Sequence, residues 1–178
     1  MTDIDIKIGP ATRADLDQIA AWCGETFDSH AAVLPFAFAD RDKFLTGLAA
    51  QRDRLLMDRE RARLFVARAG DELIGYVHLQ PRRVYPKTVT LDDREVSIDD
   101  IFVRADWRGK GVGRRLLDTA LAAAKTYRTT LISAHVWRDN AASLALFTAA
   151  PFAETVRVFE ATSPDHIARE DDAANQPA

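Results

Sequence analysis

Two short stretches carry residue types that could do chemistry: the acidic pair Asp99 and Asp100 in "SIDDIFV", and the loop "RGKGVG" at 108–113. An amine is protonated near neutral pH, so a carboxylate beside it is a natural general base, acting directly or through one water. The glycines point to a different job. They stand just before "RRLLDTALAAA", whose apolar residues recur at helical spacing. The first amides of a helix have no intrahelical partner and lie at the positive end of its dipole, and glycines let an anion reach them without a Cβ in the way. A base and an anion site would then lie on one strand–loop–helix junction.

The kind of loop can be narrowed by spacing. The dinucleotide fingerprint G-x-G-x-x-G would need glycine where Arg114 stands, and no G-x-x-x-x-G-K-[ST] string exists in the chain. For the acids, strand alternation puts Ser97, Asp99, Ile101 and Val103 on one face and Val96, Ile98, Asp100 and Phe102 on the other. Asp99 is the first choice as base or amine-binding group and Asp100 the second. Two neighbouring carboxylates would raise an apparent pKa, which suits a base; plain solvation or pairing with an arginine is the competing reading.

The elements that must position these residues follow from periodicity and breakers. "DIKI" at 5–8 reads as a strand, ended by Pro10, and Thr12 with Asp15 resembles a capping box opening a helix to Cys23. Residues 30–39, interrupted by Pro35, read as a buried loop or a short helical turn, and 42–62 as a second helix. "RLFVARAG" and "ELIGYVHLQP" form a hairpin about "GD"; two more strand segments flank the turn at 92–94, the second being 95–103. A helix at 113–127, a strand in "TLISAHVW", a short helix capped by Asn140 and a last strand in "ETVRVFEAT" complete the order. That order predicts an α+β (mixed α/β) fold with a largely antiparallel sheet.

At 178 residues the chain fits a single domain over 1–162, with a polar tail at 163–178 that reads as disordered. The net charge of −3 argues against a nucleic-acid partner, and no apolar run approaches the roughly 20 residues of a membrane span. A single cysteine, Cys23, and no recognisable secretory signal point to the cytoplasm. The arginine- and alanine-rich composition suggests a bacterial, GC-rich genome.

Arg108, Gly111 and Gly113 fit the pattern [RQ]-x-x-G-x-[GA], and later Asn140, Ser143, Leu146, Phe147 and Phe152 fit N-x-x-[AS]-x-x-L-Y-x-x-x-G-F at the same spacing. On these two motifs the chain resembles the GNAT superfamily of acyl-CoA-dependent N-acyltransferases over roughly residues 4–160. The resemblance implies a splayed, mostly antiparallel sheet flanked by helices, acetyl-CoA as co-substrate and no metal. It assigns Arg108, Gly109, Lys110, Gly111, Val112, Gly113 and Arg114 to the pyrophosphate. The backbone of Ile101, Phe102 and Val103 falls to the pantetheine and acetyl group, and Asn140 to a CoA contact that helix capping explains equally well.

Phe147 stands where the family has a tyrosine that protonates the departing thiolate. Loss of a general acid typically costs about 10²- to 10⁴-fold, yet a thiol of pKa about 8.5 leaves fairly well unaided. Tyr76, Tyr127, His78 and His135 are the substitutes within the chain, each more readily explained as structural, and Pro151 replaces the glycine before Phe152. The implied activity is direct transfer of acetyl to a primary amine of a small molecule or peptide, without a membrane partner and with a homodimer as a common family arrangement. The rival reading is a CoA-binding regulatory or sensor protein.

Overall fold

Strands dominate the middle of the chain because β-branched and aromatic residues alternate there between short polar turns. The computed structural model describes residues 5–33, 40–47, 63–83, 94–127, 129 and 131–155. In chain order these give β1 (Ile6–Pro10), α1 (Leu16–Val33), a helical stretch α2 at 41–47, β2 (Arg63–Ala69), β3 (Glu72–Arg83), β4 (Arg94–Val103), α3 (Val112–Ala124), β5 (Leu131–Ala134) and α4 (Ala141–Thr148). The strands form one sheet in the order β1-β2-β3-β4-β5. All neighbours are antiparallel except β4 and β5. This is the mixed α/β, mostly antiparallel architecture expected.

Several boundaries differ from the periodicity. α1 continues through 30–33, which the sequence left to a loop, because no breaker intervenes before Pro35. β3 runs on through Pro81 to Arg83. β5 stops at Ala134, so His135, Val136 and Trp137 leave the sheet; Trp137 instead stacks on His30 of α1 with ring centroids 4.6 Å apart. The expected helix end at 48–62, the strand before 94, the last strand beyond 155 and the polar tail lie outside the described residues.

Each face of the sheet buries a different helix. Val77, Leu79, Val96 and Ile98 pack with Leu116, Leu117, Ala120 and Ala124 of α3. Each buried valine, leucine or isoleucine among these contributes about 1.5–3 kcal/mol. On the opposite face Leu64, Val66 and Tyr76 meet Leu16, Ile19 and Trp22 of α1, with Phe102 against them. Asp15, buried beside Thr12, fixes the start of that helix: its carboxylate accepts the Thr12 amide at 2.7 Å and hydroxyl at 2.9 Å, and pairs with Arg68 on β2.

Two glycines shape the strands. Gly70, at φ 61°, makes the left-handed turn that closes the β2–β3 hairpin. Gly75 lets β3 and β4 approach: a Cβ there would lie 2.6 Å from the Phe102 carbonyl oxygen.

Candidate functional site

The site grows from an irregularity in β4. Along the β3–β4 ladder Val77 faces Ile101, His78 faces Asp100 and Leu79 faces Ile98, so Asp99 is an extra residue, a β-bulge. The bulge overturns the simple alternation expected for this strand. Asp99 and Asp100 do not fall on opposite faces: Tyr76 and Cys23 reach Asp100 on the side that packs on α1, and Arg82, which alternation along β3 puts on the same side as Tyr76, reaches Asp99. One inserted residue thus puts both carboxylates on one face.

A second irregularity lies beside the first. β5 pairs with β4 only from Glu95 to Ile98, and β4 runs on from Asp99 to Val103 after β5 has turned away. The sheet is splayed there, with the acids at the start of the split. Backbone parity decides which groups face it. The Arg104 amide donates to Ile74 O at 3.0 Å, so Phe102 and Arg104 turn toward β3, and Ile101 and Val103 turn the other way. The Phe102 carbonyl lies on the β3 side, close to Gly75, while Ile101 and Val103 turn backbone groups to the split. The Phe102 ring stacks on Trp22 at 4.9 Å.

The glycine loop follows at once. Trp107 is buried and anchors it, with Lys110 Nζ 4.9 Å above its ring. Gly109 and Gly111 have φ of 71° and 80°, the left-handed region, and no atom lies within 4 Å of where a Cβ would stand on either. Gly111 caps α3, whose first helical bond runs from the Arg115 amide to Gly111 O. The amides from Gly111 to Arg114 precede that bond, and α3 has no acid in its first turn to oppose an anion. Gly113 differs, being helical and in ordinary contact distance of Leu146 and Val103, both 3.6 Å from its Cβ position. The arginines are partly engaged: Arg108 Nε donates to Val103 O at 2.9 Å, and Arg114 bonds Asp118 at 3.0 Å and Ala149 O at 2.9 Å. Open glycine backbone, free first-turn amides and three nearby cations suit a pyrophosphate.

Around the acids the electrostatics are uneven. Arg82 Nη2 lies 2.8 Å from Asp99 Oδ1 as a charge pair. Tyr76 Oη donates to Asp100 Oδ2, and Cys23 Sγ is 3.1 Å from Tyr76 Oη and 3.8 Å from Asp100 Oδ2. Burial raises the Asp100 pKa, opposed by the hydrogen bonds from Tyr76, the Ile101 backbone and Cys23 and reinforced by Asp99. Burial also pushes the Cys23 thiol up to about 11, so it stays protonated. His78, across the ladder from Asp100, is held below the usual imidazole range by burial; Asp99 works against that and Arg82 with it. Its Nε2 is buried without a hydrogen-bond partner among the described residues.

The remaining sequence candidates divide. Asn140 caps α4, its Oδ1 accepting the Ser143 amide at 3.0 Å. Phe147 is 8% exposed and meets Phe152 edge-on at 5.1 Å, within the α3 core. Val112 is buried under the loop. Tyr127 carries the Arg63 guanidinium over its ring at 5.3 Å, on the sheet face away from the acids. Sequence reasoning set aside Cys23 as core-facing and Tyr76 as structural; their meeting with Asp100 depends on long-range contacts that no local pattern encodes.

The sequence that carries this splayed sheet, glycine loop and acid-bearing bulge matches one family. The sequence profile of the acetyltransferase (GNAT) family matches residues 20–150. The chain belongs to this family. It is therefore an acyltransferase-family protein, and the structural likenesses agree in fold. A structure of AAC(6')-Iy in complex with the bisubstrate analogue CoA-S-monomethyl-acetylneamine superposes with a TM-score of 0.67 at 18% identity, covering 89% of this chain and 98% of that one. The aminoglycoside 6'-N-acetyltransferase AAC(6')-IG from Acinetobacter haemolyticus gives 0.63 at 21% identity, covering 88% and 97%. A protein described as a transcriptional regulator from Bacillus halodurans C-125 gives 0.66 at 19% identity, covering 89% and 100%. No curated protein matches the sequence. Among the described residues no helix of this GNAT protein is long and apolar enough to cross a membrane.

Proposed function

We propose that this GNAT protein transfers acetyl directly from acetyl-CoA to a primary amine of a small molecule or peptide. The observation that carries the reading is the bulge at Asp99, which sets two carboxylates on the α1 face where β4 leaves β5. Acetyl-CoA supplies the thioester carbonyl and a thiolate leaving group. The first-turn amides and Arg108, Lys110 and Arg114 bind the pyrophosphate, and Ile101 and Val103 offer their backbone edge to the pantetheine.

Asp100 is the better base of the two acids. Asp99 already has its charge balanced by Arg82, whereas burial makes the Asp100 carboxylate a stronger proton acceptor. Asp100 takes the amine proton, directly or through a water, as the N–C bond forms and the C–S bond breaks. Phe147 gives no proton, so the thiolate leaves as the anion.

Incubation with acetyl-CoA and a panel of amines, following free thiol, tests the activity. Thiol release with at least one amine is expected, with Asp100→Asn lowering kcat/KM about 10²-fold or more and Asp99→Asn affecting it less. Tight CoA binding without thiol release for any amine supports the second reading, a CoA-binding regulatory protein. Phe147 favours that reading, and one structural neighbour is described as a regulator.

A further inference from the structure

We propose that Tyr76 is a positioning residue for the transfer: its hydroxyl, steadied by Cys23, donates to Asp100 and fixes the orientation of that carboxyl. The inference rests on the reading of Asp100 as the base. Tyr76 is 1% exposed, its ring stacked near-parallel with Trp22 at 6.1 Å and with Phe102 at 6.1 Å. For that packing a phenylalanine would serve as well. A buried hydroxyl must instead be matched by polar partners, and among the described residues these are Asp100 Oδ2 and Cys23 Sγ. Three elements meet there: Cys23 from α1, Tyr76 from β3 and Asp100 from the bulged β4.

Among the described residues the groups facing Asp100 are few, and their effects are separable. From β3 come Tyr76, His78 across the ladder, and Arg82 on the neighbouring acid; from β4 comes Asp99; from α1 comes Cys23. Tyr76 is a hydrogen-bond donor to the ionised form of Asp100, so it offsets part of the effect of burial and Asp99. Its own phenol is pushed well above the usual tyrosine range, chiefly by burial and then by Asp100, so it remains a donor throughout an assay. The thiol stays protonated for the same first reason.

The test is the pH profile of kcat/KM for the amine. Tyr76→Phe keeps the ring and removes the donor, so the acid limb moves to higher pH by about one unit, since a hydrogen bond to a charged group contributes on that order. KM for acetyl-CoA stays unchanged. A purely structural role would lower kcat and Tm together and leave the limb where it was; that result overturns the proposal. If Tyr76→Phe does not fold, 3-fluorotyrosine placed at position 76 decides: a stronger donor in the same shape shifts the limb to lower pH, and an unmoved limb refutes the role. Asp100→Asn is measured in parallel. Retained activity with the acid limb intact in Asp100→Asn overturns the base assignment itself; loss of the limb there, with no shift on changing Tyr76, overturns only the positioning role.

Discussion

Gly75→Ala isolates the closest approach in the sheet. The added Cβ would stand 2.6 Å from the Phe102 carbonyl oxygen, 3.3 Å from Leu116 Cδ1 and 3.4 Å from Val103 Cα. The leucine can turn aside, but the carbonyl is main chain and moves only if β4 moves. Overpacking of this kind costs about 1–3 kcal/mol, and the conformational restriction that alanine brings to the unfolded chain offsets about 0.4–1 of it. A net loss of about 1.3 kcal/mol lowers Tm by about 3–5 °C in a chain of this size. Because the displaced strand carries Ile101 and Val103, CoA affinity should fall as well, measured by calorimetric titration of the folded variant. Gly113→Ala is the internal control for stability: its Cβ would meet Leu146 and Val103 at an ordinary 3.6 Å in a helical position, so Tm holds or rises. Equal Tm for Gly75→Ala and wild type would refute the contact argument.

Other expectations follow from the same contacts. Gly111→Val forces a β-branched residue into φ 80° and fills the space over the loop, so CoA binding weakens at least 10-fold by titration while Tm falls by a few degrees. Asp100 is raised from its ordinary 3.8, so its ionised form costs folding stability that appears as pH rises through the raised value; Asp100→Asn should match or exceed wild-type Tm at pH 8 and lose that advantage below about pH 4. Asp15 has the opposite sign. Burial raises its pKa, but the Thr12 amide and hydroxyl and Arg68 lower it below 3.8 overall. Its stabilisation is therefore present above that value and fades as pH falls through the lowered one; Asp15→Ala should cost about 3 kcal/mol in urea unfolding at pH 7 and progressively less as the pH is taken down through that lowered value.

The glycine loop at the start of α3 was legible in the sequence because it is local. Arg108, Gly111 and Gly113 lie within a few residues of one another, and left-handed backbone at Gly109 and Gly111 needs glycine wherever it occurs. The helix caps at Thr12 and Asn140 were legible for the same reason. The acid half was not. Alternation assumes two residues per repeat, and the bulge at Asp99 adds one that leaves no mark in composition. Which acid meets Arg82 and which meets Tyr76 depends on the register of β3 against β4 and on α1 lying across both. The backbone direction of Phe102 is equally a matter of ladder parity, set by the Arg104 bond to Ile74.

The splay has a consequence for how the chain survives in a crowded solution. Beyond Ile98, Ile101 and Val103 turn their backbone donors and acceptors away from β3, and such a row invites any extended segment to add itself as a strand. Arg108 blunts the invitation, since its Nε already occupies the Val103 carbonyl. A ligand that runs along this edge would mask it more fully, and one present at a hundred times its Kd adds about 2.7 kcal/mol to the folded state. On the proposed function, supply of co-substrate then bears on the solubility of the protein as well as on its turnover.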